Sequence, residues 1–316
     1  MNSATLDYAQ NKFQTNEMTP HALKILISTY TVDRSGVPTY TLTLYRELEK
    51  RGHKVSVYSP GSGPLAELMD VHGSFDKLET PDVILAQANK CAIWMKDRYP
   101  DVPMIFINHG VLPALEQPPR IPIDRYIAVN EQSVNLLQRQ YVDPQKIDMV
   151  RDFVDTEQFK PVEPLQAKPR VLFMSNYKKW KTYYTIESAC KNLGLEFRAV
   201  GSPYGRSRDV PKDINQADLV ISMGRGIIEA MSCGRAAISY SELLGDGYLT
   251  PQVYLESRTR NFGGYECRYV FNVEDLMAEI GKYTKESGKI NRDLALQYHD
   301  SVKGTDEILG VVSKIL

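Results

Sequence analysis

The segment with the clearest chemistry is Gly-Ile-Ile-Glu-Ala-Met-Ser-Cys-Gly at 226–234, which follows an apolar run and a glycine turn. The first amides of a helix have no partner inside the helix and lie at the positive end of its dipole. The amides of Gly226, Ile227 and Ile228 are therefore predicted to bind a diphosphate. Glu229 in the first turn is placed to accept two hydrogen bonds from a ribose diol. The alternative is an ordinary packing turn with an acidic helix start.

Two further groups stand directly after predicted strands. His109 precedes a glycine and follows the apolar run 103–107, where a side chain is well placed to meet a ligand. Lys181 ends the basic stretch Asn-Tyr-Lys-Lys-Trp-Lys at 176–181, which follows the run 170–174. Its positive charge suits a phosphate group. The alternatives are a structural histidine and a solvated basic loop.

Apolar runs of strand length alternate with helical patterns, which indicates an α/β protein. The first run, 23–28, is followed by a helix that opens at Pro38 and ends at Gly52, and then by the strand 53–58. In such a unit the right-handed crossover favours a parallel sheet. Further strands are predicted at 82–86, 103–107, 126–129, 170–174, 196–200, 217–222 and 236–240.

A proline-rich stretch at 161–169 separates the two series of strands and is predicted to be a hinge. Two doubly wound, Rossmann-like parallel-sheet domains that face a cleft are the simplest architecture for this pattern. The predicted parts are a flexible extension (1–20), an N-terminal domain (21–160), a C-terminal domain (161–290) and a terminal helix (291–316) that packs back across the hinge.

Composition and charge limit the classes of partner and the cellular location that are expected. The 316 residues are 42% hydrophobic and 24% charged, with a formal net charge of −1, which gives no electrostatic reason to expect a nucleic-acid partner. No apolar run reaches the roughly twenty residues that span a bilayer. Residues 1–20 lack the hydrophobic stretch of a signal peptide, so a cytoplasmic protein is expected.

The scattered cysteines are predicted to be reduced thiols that bind no metal: Cys91, Cys190, Cys233 and Cys267.

The segment around Glu229 resembles the C-terminal signature of the family-four retaining glycosyltransferases, which have the GT-B fold. In that family a Glu lies seven residues before a Glu-Ala-Met-Ala-x-Gly run, and this chain has Glu-Ala-Met-Ser-Cys-Gly at 229–234. The resemblance implies that Glu229 binds the nucleotide ribose. The family's first Glu, which contacts the transferred sugar, falls on Ser222, and a serine supplies no carboxylate.

Further segments between residues 23 and 240 resemble motifs of the same family, and they follow one another in the same order. Ser35-Gly36 stands at the family's N-terminal glycine loop, which implies that Gly36 faces the donor phosphate or the acceptor. His109 matches a functional histidine near the donor sugar and phosphate. Gly201 ends a strand where members hold the nucleobase.

The diphosphate clamp of the family is matched in part. Lys181 stands at the family's lysine, whereas Asn176 occupies the position of its partner arginine. Lys178 and Lys179 add positive charge nearby and are candidate substitutes for that arginine. Arg225, inside the glycine turn, is a candidate phosphate ligand that compensates for the departure at Ser222. A residue pair in the preceding passage also differs, because Asp152-Phe153 replaces the family's Asn-Gly.

The resemblance implies a retaining hexosyltransferase whose donor is a nucleoside diphosphate sugar, UDP-glucose or a related UDP-sugar, with no separate cofactor. The chain contains no Asp-x-Asp pair, so a metal-independent reaction is expected, with His109, Lys181 and Glu229 as the catalytic group. The N-terminal domain would take the acceptor, which the sequence leaves open as a glycan, a lipid-linked glycan or a small molecule. A peripheral contact with the inner face of the membrane is left open as well.

Two other functions remain compatible with the sequence. One is a non-catalytic sugar-nucleotide-binding partner of another transferase, which the departures at Ser222 and Asn176 favour. The other is a GT-B epimerase that acts on a UDP-amino sugar. It requires acid and base carboxylates around the sugar, and few are evident.

Overall fold

Two series of strands and helices follow one another along the chain, and the computed structural model describes them over residues 22–177, 180–240, 245–263 and 271–316. The predicted extension at 1–20 lies outside these ranges, and so do Lys178, Lys179 and Cys267. The cysteines that lie inside them, Cys91, Cys190 and Cys233, are buried free thiols.

The first series forms a seven-stranded sheet in which all the pairings are parallel. Its strand order is β3-β2-β1-β4-β5-β6-β7, so the order reverses between β1 and β4. Its strands and helices are β1 (Lys24–Ser28), α1 (Gly36–Lys50), β2 (Lys54–Tyr58), β3 (Val71–His72), β4 (Val83–Ala86), α2 (Asn89–Arg98), β5 (Met104–Asn108), β6 (Arg125–Ala128), α3 (Glu131–Arg139) and β7 (Ile147–Met149).

The second series forms a five-stranded sheet in the order β12-β11-β10-β8-β9. Its pairings are parallel except that of β11 with β12, so the order reverses between β8 and β10. Its elements, with the helices that follow it, are β8 (Val171–Met174), α4 (Trp180–Asn192), β9 (Phe197–Val200), α5 (Val210–Asn215), β10 (Leu219–Ser222), α6 (Arg225–Ser232), β11 (Ala236–Tyr240), β12 (Gly245–Tyr248), α7 (Pro251–Ser257), α8 (Val273–Gly281), α9 (Lys285–Tyr298) and α10 (Ser301–Val312).

The central strands are covered on both faces, which explains their continuous apolar sequences. Every residue of β5, β8, β10 and β11 is buried. Side chains alternate between two apolar clusters, as Ile25 and Ile27 pack on one face of the first sheet and Leu26 on the other. The rigid sheets therefore fix the positions at which the loops after their strands emerge.

The chain crosses between the two halves twice. It leaves the first sheet through residues 150–170 and returns at His299 and Asp300, between α9 and α10. Val154 donates its amide to His299 O (2.9 Å), and Ser301 donates to Val154 O (3.0 Å). Helix α9 packs against α6 and β11, whereas α10 packs against α1. The segment predicted as one helix, 291–316, is therefore the end of α9 and all of α10.

The structure differs from the sequence prediction at short or irregular elements. Strands β3 and β7 were not predicted, because two or three residues give no periodicity to read. Strand β12 has the sequence Gly-Asp-Gly-Tyr, which lacks the apolar composition of a strand. Helix α1 begins at Gly36, two residues before the predicted start. No helix of the described residues is long and apolar enough to cross a bilayer.

The contact of α10 with the crossing segment gives a stability prediction. A Cβ at Gly304 would lie 2.2 Å from Phe153 Cδ1. We expect Gly304→Ala to lower the free energy of unfolding by about 1–3 kcal/mol, because α10 must move away from the aromatic ring. Urea unfolding followed by circular dichroism measures this change.

Gly310 provides the matched control, since it lies on the same helix and a Cβ there meets nothing within 4 Å. Gly310→Ala is expected to raise the free energy of unfolding by up to about 1 kcal/mol through helix propensity alone. Similar effects of the two substitutions would contradict the close packing at Gly304.

Candidate functional site

A cavity of about 1650 Å³ lies between the carboxyl ends of the two sheets. The first half of the chain lines it with the loop 33–36 and one face of α1, and the second half with the loops that follow β8, β9 and β10. In doubly wound sheets, ligands bind outside the carboxyl ends of the strands where the strand order reverses. The ends of β8 and β10 are such a point, so the cavity lies where the topology predicts a ligand.

Gly201, at the end of β9, lines the cavity and has to be glycine. Its φ is +133°, and a Cβ there would lie 1.8 Å from Ser175 O. The absence of a side chain lets the loops after β8 and β9 approach each other closely. Gly36 lines the opposite wall, where a Cβ would meet nothing within 4 Å. It leaves the start of α1 open towards the cavity.

The turn before α6 is built on Gly224, whose φ of +57° and ψ of −134° suit glycine. Its amide donates to Phe262 O (3.0 Å), and its carbonyl accepts the amide of Ile227 (3.0 Å). The predicted amide set therefore shifts towards the helix start, to Arg225 and Gly226. Ile227 and Ile228 have fully buried side chains that belong to the core.

Gly226 and Ser222 fit against each other at the cavity wall. A Cβ on Gly226 would lie 2.3 Å from Ser222 Oγ. That hydroxyl donates to Met174 O (3.0 Å), so Ser222 ties the end of β10 to the end of β8. The serine at the family's sugar-binding position is thus engaged within the protein.

Glu229 lines the cavity from the second turn of α6 and is 9% exposed. Its Oε1 accepts a hydrogen bond from Arg225 Nε (3.2 Å). Burial raises the pKa of Glu229 to about 7, against the opposing effect of the Arg225 guanidinium. The carboxyl therefore titrates near neutral pH.

Arg225 joins both halves of the chain. Its Nη2 donates to Thr43 Oγ1 on α1 (3.1 Å), and its Nη1 donates to Phe153 O (2.6 Å) and Asp152 Oδ1 (3.2 Å) on the crossing segment. With the bond to Glu229, the protein satisfies most of the five guanidinium donors. The predicted phosphate ligand is thus mainly a buried tie between the two halves.

Asp152, the counter-charge of Arg225, is held by a network of its own. Its Oδ2 accepts a hydrogen bond from Asn261 Nδ2 (3.2 Å). Its carbonyl accepts from His299 Nδ1 (2.7 Å), which leaves Nε2 of the neutral ring to accept from Tyr254 OH (3.1 Å). Burial lowers the pKa of His299 to about 4, in agreement with a neutral ring. Sequence reasoning noted Asp152 only as a departure from the family, since nothing in the sequence indicates its distant partners.

His109 lies beyond the residues that line the cavity, packed edge-on against Tyr40 at a centroid distance of 4.7 Å. Its Nε2 bonds to Gln87 Oε1 (2.8 Å), while Gln87 Nε2 donates to Thr41 Oγ1 (3.0 Å). This direction of the amide assigns the proton to Nε2. Burial and the charge of Arg225 lower the pKa of His109 to about 3, so the ring is neutral.

The two residues at the family's diphosphate clamp lie in different surroundings. Asn176 lines the cavity, where its Nδ2 donates to Arg34 O (3.4 Å) and its Oδ1 accepts the amide of Ser202 (3.1 Å). It thus bridges the two sides of the cleft. Lys181, in the first turn of α4, is exposed and is not among the residues that line the cavity. Of the predicted site residues, one cavity is lined by Gly36, Asn176, Gly201, Arg225, Gly226 and Glu229, but not by Ile227, Ile228, His109 or Lys181.

Comparison with solved structures identifies the architecture. The Anabaena protein HepE, in a structure with UDP-glucose, aligns with a TM-score of 0.68 at 15% identity, over 92% of this chain and 100% of that chain. A glycosyltransferase from Rickettsia africae ESF-5 gives 0.67 at 16% identity, over 93% and 99%. Sucrose-phosphate synthase from Thermosynechococcus elongatus gives 0.62 at 12% identity, over 92% and 98%.

No protein-family model and no curated protein sequence matches the chain. The likeness is therefore one of structure, and at these identities it establishes the fold. The similar structures include glycosyltransferases of the GT-B architecture, and both sheets of this chain face the cavity between them. The predicted fold class is confirmed: the chain has the GT-B fold, with two Rossmann-like α/β halves.

Proposed function

We propose that this chain transfers a hexose from a UDP-sugar, UDP-glucose or a close relative, to a glycan, a lipid-linked glycan or a small-molecule acceptor. The observation that carries the proposal is the arrangement of Glu229, the free amides at the start of α6 and the open start of α1 around one cavity. The carboxylate suits the hydroxyls of a ribose, and the free amides of the helix start suit a diphosphate. The glycine-lined wall leaves room for the sugar.

HepE, which has a similar structure, binds UDP-glucose, and this supports the choice of donor. The size of the cavity, about 1650 Å³, also supports it. Sites for small molecules commonly occupy about 300–1,000 Å³, so space remains for an acceptor beside the nucleotide.

The proposed reaction retains the configuration of the sugar and needs no metal ion. The acceptor oxygen forms a bond to the anomeric carbon on the face from which the diphosphate departs. The electron pair of the breaking bond goes to the diphosphate oxygen, which takes up the proton of the acceptor hydroxyl. The amides of Arg225 and Gly226 stabilise the developing charge, and Glu229 holds the ribose in place.

His109 has a defined role in this proposal. With its proton on Nε2 and a pKa of about 3, it is a neutral imidazole that lends polarity without a charge. Because it lies outside the cavity lining and donates its Nε2–H to Gln87, it is proposed to support helix α1 through its contact with Tyr40, without touching the sugar or the phosphate. Its bond to Gln87 fixes the ring for that purpose.

A second candidate function, a sugar-nucleotide-binding protein without transfer activity, is favoured by one observation. Ser222 stands at the position of the family's sugar-binding carboxylate, and its hydroxyl donates a hydrogen bond to Met174 O. Turnover separates the two functions, since a transferase converts UDP-glucose to UDP, at least slowly with water as acceptor. Binding of UDP-glucose with no release of UDP under any acceptor would favour the binding protein.

The role of Glu229 is tested by binding. We expect Glu229→Gln to weaken UDP-glucose binding by about tenfold or more, because the charge-assisted hydrogen bonds to the ribose are lost. Isothermal calorimetry measures the affinity. Glu131→Gln is the control, since Glu131 is another helix carboxylate that forms an ion pair, but with Arg151 and away from the cavity. Equal affinity of wild type and Glu229→Gln would remove the assigned ribose site.

The same carboxyl predicts a pH dependence. The pKa of Glu229 lies near 7, above its ordinary value, so the carboxyl holds a proton below that pH and loses it above. The affinity for UDP-glucose is expected to fall by up to about tenfold per pH unit below 7, since the ionised form accepts both ribose hydroxyls. UDP-glucose is the correct probe, because its phosphates are diesters and do not titrate near pH 6 as a terminal phosphate does.

Glu116 provides the control for this pH dependence, because burial raises its pKa to about 7 as well. Glu116→Gln is expected to leave the pH profile of binding unchanged, whereas Glu229→Gln flattens it. A profile that flattens only in Glu116→Gln would assign the titration to the wrong carboxyl.

A further inference from the structure

Positive charge without a counter-charge gathers on the loop that follows β9. Arg206 and Arg208 are exposed residues of this loop and line the cavity. Over the described ranges, neither side chain has a hydrogen-bond or ion-pair partner in the structure. They are therefore cations that face the cavity and remain available to a ligand.

The acidic residues around this loop are engaged elsewhere. Asp209 accepts the amide of Lys212 (3.1 Å) and caps α5. Asp213 pairs with Arg198 (3.2 Å) and accepts the Ser207 hydroxyl. These carboxylates hold the loop in its shape without neutralising its arginines.

The loop is fixed to the other side of the cleft at its centre. Arg34 Nη1 donates to Ser207 O (3.2 Å), the carbonyl between the two arginines in sequence. The carbonyl of Arg34 in turn accepts from Asn176 Nδ2 (3.4 Å), at the end of β8. These bonds place the arginines of the loop beside the strand end where the family carries its diphosphate clamp.

A diphosphate in this cavity needs cations that the expected positions do not provide. Asn176 is neutral, Lys181 lies outside the cavity lining, and the Arg225 guanidinium is bonded mainly to protein groups. Helix amides supply only a partial charge of about one half. Arg206 and Arg208 of the β9 loop line the same cavity and bring two full positive charges to the half of the chain that carries the start of α6.

We infer that Arg206 and Arg208 bind the diphosphate of the sugar nucleotide, in place of the arginine and lysine that follow β8 in the family. A guanidinium presents paired N–H donors that match phosphate oxygens, and arginine remains charged throughout the accessible pH range. Arg34 acts as the positioning residue that holds the loop. The inference rests on the proposed function, because it assumes a nucleoside diphosphate sugar as ligand.

The test compares UDP-glucose with uridine, which has the same base and ribose but no phosphate. In the double variant R206A/R208A, the affinity for UDP-glucose is expected to fall by at least about tenfold, and that for uridine to remain unchanged. The slope of log Kd against log salt concentration is also expected to become shallower, because fewer charge contacts form. Calorimetry at three salt concentrations provides all of these values.

Two further variants complete the design. R206K/R208K keeps the charge and loses the paired donors, so its affinity is expected to lie between those of wild type and the alanine variant. Arg139→Ala removes an exposed arginine of α3, far in sequence from the cavity wall, and is expected to change neither affinity nor salt dependence. Thermal unfolding of each variant establishes that it is folded.

The outcomes are distinct. If wild type binds UDP-glucose and R206A/R208A binds it equally well, the inference is overturned and the proposed function stands. If the alanine variant is folded and its affinity for uridine falls as much as that for UDP-glucose, the arginines contact the base or stabilise the loop. This result also overturns the inference. If wild type binds no nucleoside diphosphate sugar, both the proposed function and the inference that rests on it are wrong.

Discussion

The buried guanidinium of Arg225 is the interaction on which the site depends. It reaches α1 through Thr43, the crossing segment through Asp152 and Phe153, and its own helix through Glu229. A charge at this depth is tolerated only when it is paired and its donors are bonded, and removing one partner leaves the other uncompensated. The two sheets could not separate without breaking the bond to Thr43. The same side chain therefore joins the two halves across the cleft and holds the Glu229 carboxylate in place.

Burial has the largest effect on the pKa of His109 and of Glu229, and the charge of Arg225 modifies both. Burial lowers the pKa of His109 to about 3, and Arg225 acts in the same direction, so the imidazole is neutral. Burial raises the pKa of Glu229 to about 7, and here Arg225 acts against burial by favouring the carboxylate. Burial thus keeps the histidine uncharged, with Arg225 acting in the same direction, and Arg225 helps the glutamate to ionise.

The central elements could be predicted from the sequence because their physics is local. Strands buried on both faces require continuous apolar runs, and the runs at 23–28, 217–222 and 236–240 lie within a residue or two of β1, β10 and β11. The start of α6 was likewise evident from its glycines, although the free amides begin at Arg225 instead of Gly226. The pairing of Asp152 with Arg225 was beyond sequence reasoning, since it joins the crossing segment to α6 across 73 positions of the sequence. The break between α9 and α10 has the same origin, because the Val154 backbone pairs with the chain at Asp300.

The departures from the family pattern form a consistent set when their bonds are considered. Ser222 and Asn176 are small neutral residues where the family has a carboxylate and an arginine, and each is bonded across a strand end, to Met174 O and to Ser202 N. Because this chain lacks both the carboxylate and the arginine of the family at these positions, the net charge there is unchanged. An arginine alone would need another counter-charge. The positive charge that a diphosphate requires then lies on the loop after β9, which Arg34 holds from the opposite wall. The Arg34 guanidinium therefore ties the first half of the chain to the loop that carries Arg206 and Arg208, because its bond to Ser207 O crosses the cleft.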